Sequence, residues 1–135
     1  MNILIFGAGA IGAHLAYCLK EKKNNIILVS KKKYIKKLKI DGFNLSIYSN
    51  DILKKKILLK ENKNLRFEND LRNIPKSFFK NDNAVFVTVK LKDFTLKIIK
   101  KIIKITNKNS LIVLPCTYLP PWWFNGIFIK NKKKN

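Results

Sequence analysis

The stretch Asn2-Ile3-Leu4-Ile5-Phe6 runs directly into Gly7-Ala8-Gly9-Ala10-Ile11-Gly12, and a helix-like apolar pattern at Ile11, Leu15, Cys18 and Leu19 follows at once. Three glycines spaced GxGxxG between a strand and a helix constrain the fold more than any other feature of the chain. Each has a physical task. Gly7 permits the tight turn off the strand, Gly9 lets the backbone approach a pyrophosphate, and Gly12 lets the helix pack closely on the strand. The helix start adds free N–H groups and a partial positive charge for phosphates. Gly7, Ala8, Gly9, Ala10, Ile11 and Gly12 are therefore candidate cofactor-binding residues. The competing reading is a glycine-rich turn in an ordinary strand–helix unit.

The same stretch invites two other readings, and both fail. An export signal carries positive charge ahead of its apolar segment and a small residue before the cleavage point. Here the first lysine is Lys20, behind the segment, and bulky Tyr17 precedes Cys18. A bilayer span needs about 20 apolar residues, and glycine punctuation at strand–turn–helix spacing does not suit one. A cytoplasmic location with no membrane anchor is the expectation.

Further along, Asn25 to Val29 (NIILV) reads as a second buried strand, since continuous apolar runs suit a sheet covered on both faces. Tyr34, Ile35, Leu38 and Ile40 suggest a short helix stopping near Gly42. Phe43 to Tyr48 and Ile57 to Leu59 read as short strands or edge structure. Ala84 to Val89 (AVFVTV) is a strong buried strand. An amphipathic helix from Asp93 to Thr106 follows, with Phe94, Ile98, Ile102 and Ile105 on one side and lysines opposite, and then a strand at Ser110 to Leu114. Strands alternating with helices predict an α/β fold with a doubly wound, mainly parallel sheet. At 135 residues without a linker or repeat, the chain reads as one domain over residues 1–129, with a basic tail at 130–135.

In a strand–helix–strand nucleotide site, an acidic residue about 20 positions after the glycines accepts the ribose 2′-hydroxyl of NAD, whereas basic groups accommodate the 2′-phosphate of NADP. The second strand ends Val29-Ser30-Lys31-Lys32-Lys33, with no carboxylate. The expected acid position is occupied by the Ser30 hydroxyl and the cations Lys31, Lys32 and Lys33, and the cofactor expected is NADP. One charge-assisted lysine–phosphate bond is worth about 1.5–3 kcal/mol.

The net charge is +21, and of 29 basic residues all but Arg66 and Arg72 are lysine. These lysines are spread over most segments, whereas groove-reading proteins concentrate arginines and aromatics on one element. No specific nucleic-acid partner is expected, only salt-sensitive adherence to polyanions. Cys18 and Cys116 stand far apart with no ligand spacing, and His14 is the single histidine. No metal site is expected, and both cysteines read as small buried apolar residues of a reducing compartment.

Taken in order, the GAGAIG fingerprint, the Ser30-Lys31 strand end, the helix leading to Asp41-Gly42-Phe43, the Val87-Thr88-Val89-Lys90 stretch and the Leu111 to Pro115 strand resemble the N-terminal, Rossmann-like NADP-binding domain of the ketopantoate reductase (2-dehydropantoate 2-reductase) family. The resemblance implies reduction of 2-dehydropantoate to pantoate with NADPH, a step toward pantothenate and coenzyme A. It places Gly7 to Gly12 on the pyrophosphate and Ser30 and Lys31 near the 2′-phosphate. It also places Lys90, at the carboxyl end of its strand, beside the nicotinamide half.

Two departures accompany the match. Aligning Pro121-Trp122-Trp123 with the Pro-Trp-Trp of some members puts Tyr118 and Leu119 where the family carries Asn-Gly, and tyrosine lacks an amide's paired donor and acceptor. The family's helical second domain, which bears its catalytic lysine and a substrate-binding carboxylate, has no counterpart in the 135 residues. Hydride transfer needs a positioned substrate and a proton donor. A truncated or split form that binds NADPH without turning over ketopantoate alone is therefore expected. Trp122, Trp123 and Phe124 then call for a cover, by a separate helical domain, by self-association or by back-packing. Two further function classes stand beside this one: a stand-alone nucleotide-sensing module, and a basic polyanion-binding protein.

Overall fold

The structure, a computed structural model, describes residues 1–20, 22–90, 93 and 95–114. The first apolar run forms β1 (Asn2–Phe6), and NIILV forms β2 (Asn25–Val29). Together with β5 (Leu65–Glu68), β6 (Asn83–Val87) and β7 (Leu111–Val113) they make a five-stranded sheet in the order β5-β2-β1-β6-β7. All four pairings are parallel. The chain winds outward from β1 through β2 to β5, then returns to the other side of β1 for β6 and β7. The sheet is thus doubly wound, with its switch point between β1 and β6.

Alternate residues of each strand feed two cores. Ile3 and Ile5 of β1 point to one face, with Ile26, Leu28 and Phe67, while Leu4 points to the other with Ile27 and Val85. Each such fully buried side chain is worth about 1.5–3 kcal/mol of transfer free energy. The first face is covered by α1 (Ala10–Lys20) and α2 (Lys32–Asp41). The second is covered by α3 (Leu96–Ile105) and two short 3-10 helices, Leu71–Asn73 and Lys76–Phe79. At the amino-terminal edge three asparagines stand in register, Asn2 beside Asn25 and Asn83. Asn2 Nδ2 donates to the Phe78 carbonyl at 2.7 Å and Asn83 Nδ2 to that of Phe79 at 3.1 Å, while Asn107 Nδ2 also donates to Phe79. This edge is fastened by amides, which leaves the carboxyl edge open for ligands.

Several details differ from the sequence expectation. α1 buries Gly12, Ala13 and Ala16, whereas Ile11 is 55% exposed and Leu15 and Leu19 pack only partly. The cause is Gly12, which draws the helix backbone so near the sheet that only small residues fit between them. Cys18 turns to solvent, with Sγ 3.6 Å from His14 Nε2, so the expectation of a buried thiol there is corrected. Cys116 lies outside the described residues.

α2 buries Ile35 and Leu38 but leaves Tyr34 and Ile40 exposed. It ends at Gly42, whose φ of 75° suits glycine and whose N–H donates to the Leu38 carbonyl. The edge structure expected after it is an antiparallel hairpin, β3 (Phe43–Ser49) and β4 (Ile52–Leu59). Asn50 and Asp51 form its two-residue turn, both with positive φ. β5 is too short for its alternation to stand out in the sequence. Its outward-facing Phe67 N–H donates to Glu61 Oε1 at 2.6 Å, which blunts the sheet edge. α3 starts three residues later than its pattern suggests and buries Ile99 and Ile102, while Phe94 lies outside the described residues. No helix among the described residues is long and apolar enough to cross a membrane.

Candidate functional site

Carboxyl ends of β2, β1 and β6 lie side by side, and the candidate cofactor-binding residues Gly7 to Gly12, Ser30, Lys31 and Lys90 follow directly or within three residues of them. Gly7 leaves β1 with φ 125°, and its N–H donates to the Val29 carbonyl at 2.8 Å, which ties the turn to the end of β2. A Cβ at Gly7 would come within 2.8 Å of the Thr88 backbone. One at Gly12 would overlap the Gly7 carbonyl oxygen and stand 2.7 Å from Thr88 Oγ1. Both glycines are thus demanded by the fold. Gly9 differs, because a Cβ there would meet no atom within 4 Å. Its carbonyl accepts the first helical bond from Ala13 N–H at 2.9 Å, which leaves the N–H groups of Ala10, Ile11 and Gly12 without intrahelical partners. Ala8 packs partly against the core, while Ala10 and Ile11 are exposed at the opening.

On the β2 side, Ser30 is half-buried, and its N–H donates to the Glu68 carbonyl. Lys31 is exposed and precedes the first turn of α2, which contains no acidic residue. Lysines at a helix N-terminus oppose the helix dipole, so Lys31, Lys32 and Lys33 make a locally unfavourable arrangement that an anion relieves. On the β6 side, Lys90 is exposed just beyond the strand end, and its carbonyl accepts from Asp93 N–H at 2.8 Å. The structure therefore places the glycine turn, Ser30-Lys31 and Lys90 along one edge of the sheet, the edge at whose switch point open α/β sheets form their ligand crevice. Tyr118, Trp122, Trp123 and Phe124 lie outside the described residues.

Two residues of the crevice escape sequence reasoning. Thr88 Oγ1 donates to the Gly7 carbonyl at 2.8 Å and fastens the turn to β6; its one sequence signal is a hydroxyl within an otherwise apolar run. Asp93 places Oδ1 3.5 Å from Lys31 Nζ, and nothing in its sequence neighbourhood announces that contact. A separate cavity of ≈ 260 Å³ lies on the flank between α2 and β5, lined by Lys32, Lys36, Lys39 and Glu68 among others. It contains none of the glycine-turn residues. Among the described residues no cluster of three or more His, Cys, Asp or Glu side chains is placed to hold a metal ion.

A parallel sheet in this order, with a glycine turn and a helix N-terminus at the switch point, defines a Rossmann-like α/β domain. The chain belongs to the ketopantoate reductase family: the family described as Ketopantoate reductase PanE/ApbA matches residues 3–115. A crystal structure of a protein from Enterococcus faecalis assigned as a 2-dehydropantoate 2-reductase is similar over 89% of the chain, with a TM-score of 0.60 and 18% identity. The chain spans 35% of that protein's length, and the likeness is one of fold. No curated protein matches the sequence.

Proposed function

We propose that these residues form the NADPH-binding half of a 2-dehydropantoate 2-reductase. The observation that carries the reading is Gly9. It is the glycine of the fingerprint for which the fold gives no reason, and the space above it lies open between unpaired N–H groups and the switch-point strands. A pyrophosphate is the group that needs both the absent side chain and the amide donors. The family's membership in nicotinamide chemistry agrees with this cradle.

On this reading the cofactor, when bound, supplies the hydride. Ala10, Ile11 and Gly12 donate to the pyrophosphate, Thr88 keeps the Gly7 turn in place, and Lys31 with the start of α2 takes the 2′-phosphate. Lys90 stands beside the nicotinamide half and presents a cation toward developing negative charge. Positioning of the keto acid and proton delivery are assigned to a helical domain, carried by the same polypeptide or by another. Without it these residues bind NADPH and do not turn over ketopantoate.

The test is a calorimetric titration with NADPH and NADH at low and high salt, for the wild type and for Lys31→Glu. A preference for NADPH that survives salt and is lost in Lys31→Glu supports the reading. Equal, salt-labile binding of NADPH, NADH and ATP refutes it and leaves a lysine-rich shell that attracts any polyanion.

A further inference from the structure

The ion pair between Lys31 and Asp93 joins the two sides of the crevice. Lys31 follows β2, Asp93 lies in the connection after β6, and β1 with its glycine turn is the strand between them. Carboxyl ends of strands flanking a common neighbour are about 10 Å apart, so this solvent-exposed pair bridges the β2 and β6 sides of the sheet's carboxyl edge. The chain has only 8 acidic residues against 29 basic ones, and one of the 8 is committed to this lysine. Of the other ion pairs among the described residues, Arg66–Glu68 and Arg72–Asp70 are local in sequence, and Lys39–Glu61 lies on the α2 flank.

We propose that Asp93 is a specificity-determining residue that competes with the 2′-phosphate of NADPH for Lys31. The inference rests on the NADPH reading given above. In the free protein the carboxylate satisfies the lysine. NADPH takes the lysine away and leaves Asp93 facing a phosphate dianion, whereas NADH presents a neutral ribose hydroxyl. The cost of opening the ion pair falls on NADPH, because a neutral hydroxyl does not draw the lysine from its carboxylate, and repulsion between carboxylate and phosphate acts in the same direction. For charges of one and two at about 6 Å that repulsion alone amounts to roughly tenfold in water and about threefold with physiological screening. Asp93 therefore moderates a preference for NADPH that the lysines would otherwise make steeper.

The experiment is a set of titrations of wild type, Asp93→Asn, Lys31→Met and the double variant with NADPH and NADH, each protein checked by thermal melting. Asp93→Asn is expected to raise the ratio Kd(NADH)/Kd(NADPH) about three- to tenfold. The loss of NADPH affinity caused by Lys31→Met is expected to be larger in the Asp93→Asn background than in the wild type. A change confined to stability, as for a merely structural salt bridge, leaves the ratio fixed and overturns the proposal. A fall in NADH affinity in Asp93→Asn also overturns it, because the carboxylate would then be accepting from the ribose hydroxyl. A wild type that prefers NADPH through Lys31, with Asp93→Asn neutral, defeats this inference alone. A wild type indifferent to the 2′-phosphate and to Lys31 defeats the NADPH reading together with it.

Discussion

Replacing Gly9 and Gly12 in turn by alanine separates the glycine kept for a ligand from the glycine kept for the fold. In Gly12→Ala the new methyl group overlaps the Gly7 carbonyl oxygen and lies 2.7 Å from Thr88 Oγ1. One of these atoms is backbone, and the other is fixed by a 2.8 Å hydrogen bond, so neither gives way cheaply. α1 must back off from β1, which loosens Ala13 and Ala16, both fully buried. Overpacking of this kind costs about 1–3 kcal/mol or more, against about 1 kcal/mol that alanine gains over glycine inside a helix. Because the overlap is with a backbone oxygen, the cost lies at the upper end of that range, and the resulting net loss near 2 kcal/mol lowers the melting temperature by roughly 6–10 °C for a domain of this size. In Gly9→Ala no atom lies within 4 Å of the methyl group. The smaller backbone entropy of the unfolded chain offsets the modest loss of a glycine N-cap, so stability stays within about 0.5 kcal/mol of wild type. Its methyl group occupies the approach of the pyrophosphate, and NADPH affinity is expected to fall at least about tenfold, about 1.4 kcal/mol. Circular-dichroism melts and calorimetric titrations read the two effects separately. Wild-type melting of Gly12→Ala, or wild-type NADPH binding by Gly9→Ala, would refute the division of roles.

Thr88→Val keeps the shape but removes the donor to the Gly7 carbonyl; a loss of about 1–2 kcal/mol is expected, with weaker NADPH binding, and unchanged melting would show that the strut is dispensable. The Arg72 guanidinium and backbone N–H bond the Asp70 carboxyl and hold its pKa down to about 2 from 3.8. Because the folded-state value is depressed, this stabilisation is complete above about pH 4 and is lost as pH falls toward 2. The stability difference between wild type and Asp70→Asn should therefore shrink across that window in denaturant titrations, and a difference that stays constant from pH 5 to pH 2 would count against the pair. With the Lys31→Glu titration and the Asp93 cycle, these measurements cover the turn, the ribose end of the crevice and its far edge.

Much of the architecture was legible in the sequence because its signals are local. A parallel strand buried on both faces must be continuously apolar, so β1, β2 and β6 announce themselves. Gly42 stops α2 where its φ requires glycine. β5 was harder to see, since four residues give too few alternations. Its burial depends on pairing with β2, which the intervening hairpin separates from it in sequence. For α1, periodicity chose the bulkier residues as the inner face. The buried side is set instead by how closely Gly12 lets the helix approach, and that is a property of two elements together.

The sequence by itself determined the glycine turn, the lack of an acid at the end of β2 and the alternation that makes a parallel sheet, because each depends on neighbours within a few positions. Only the tertiary structure decided that Thr88, 81 positions from Gly7, fastens that turn, that Gly9 alone of the three fingerprint glycines is free of the fold, and that Asp93 reaches Lys31 across the crevice. The physical reason is common to all three. Strands distant along the chain become neighbours when the sheet winds in both directions from β1, and the short-range contacts at their ends exist only once that order is made.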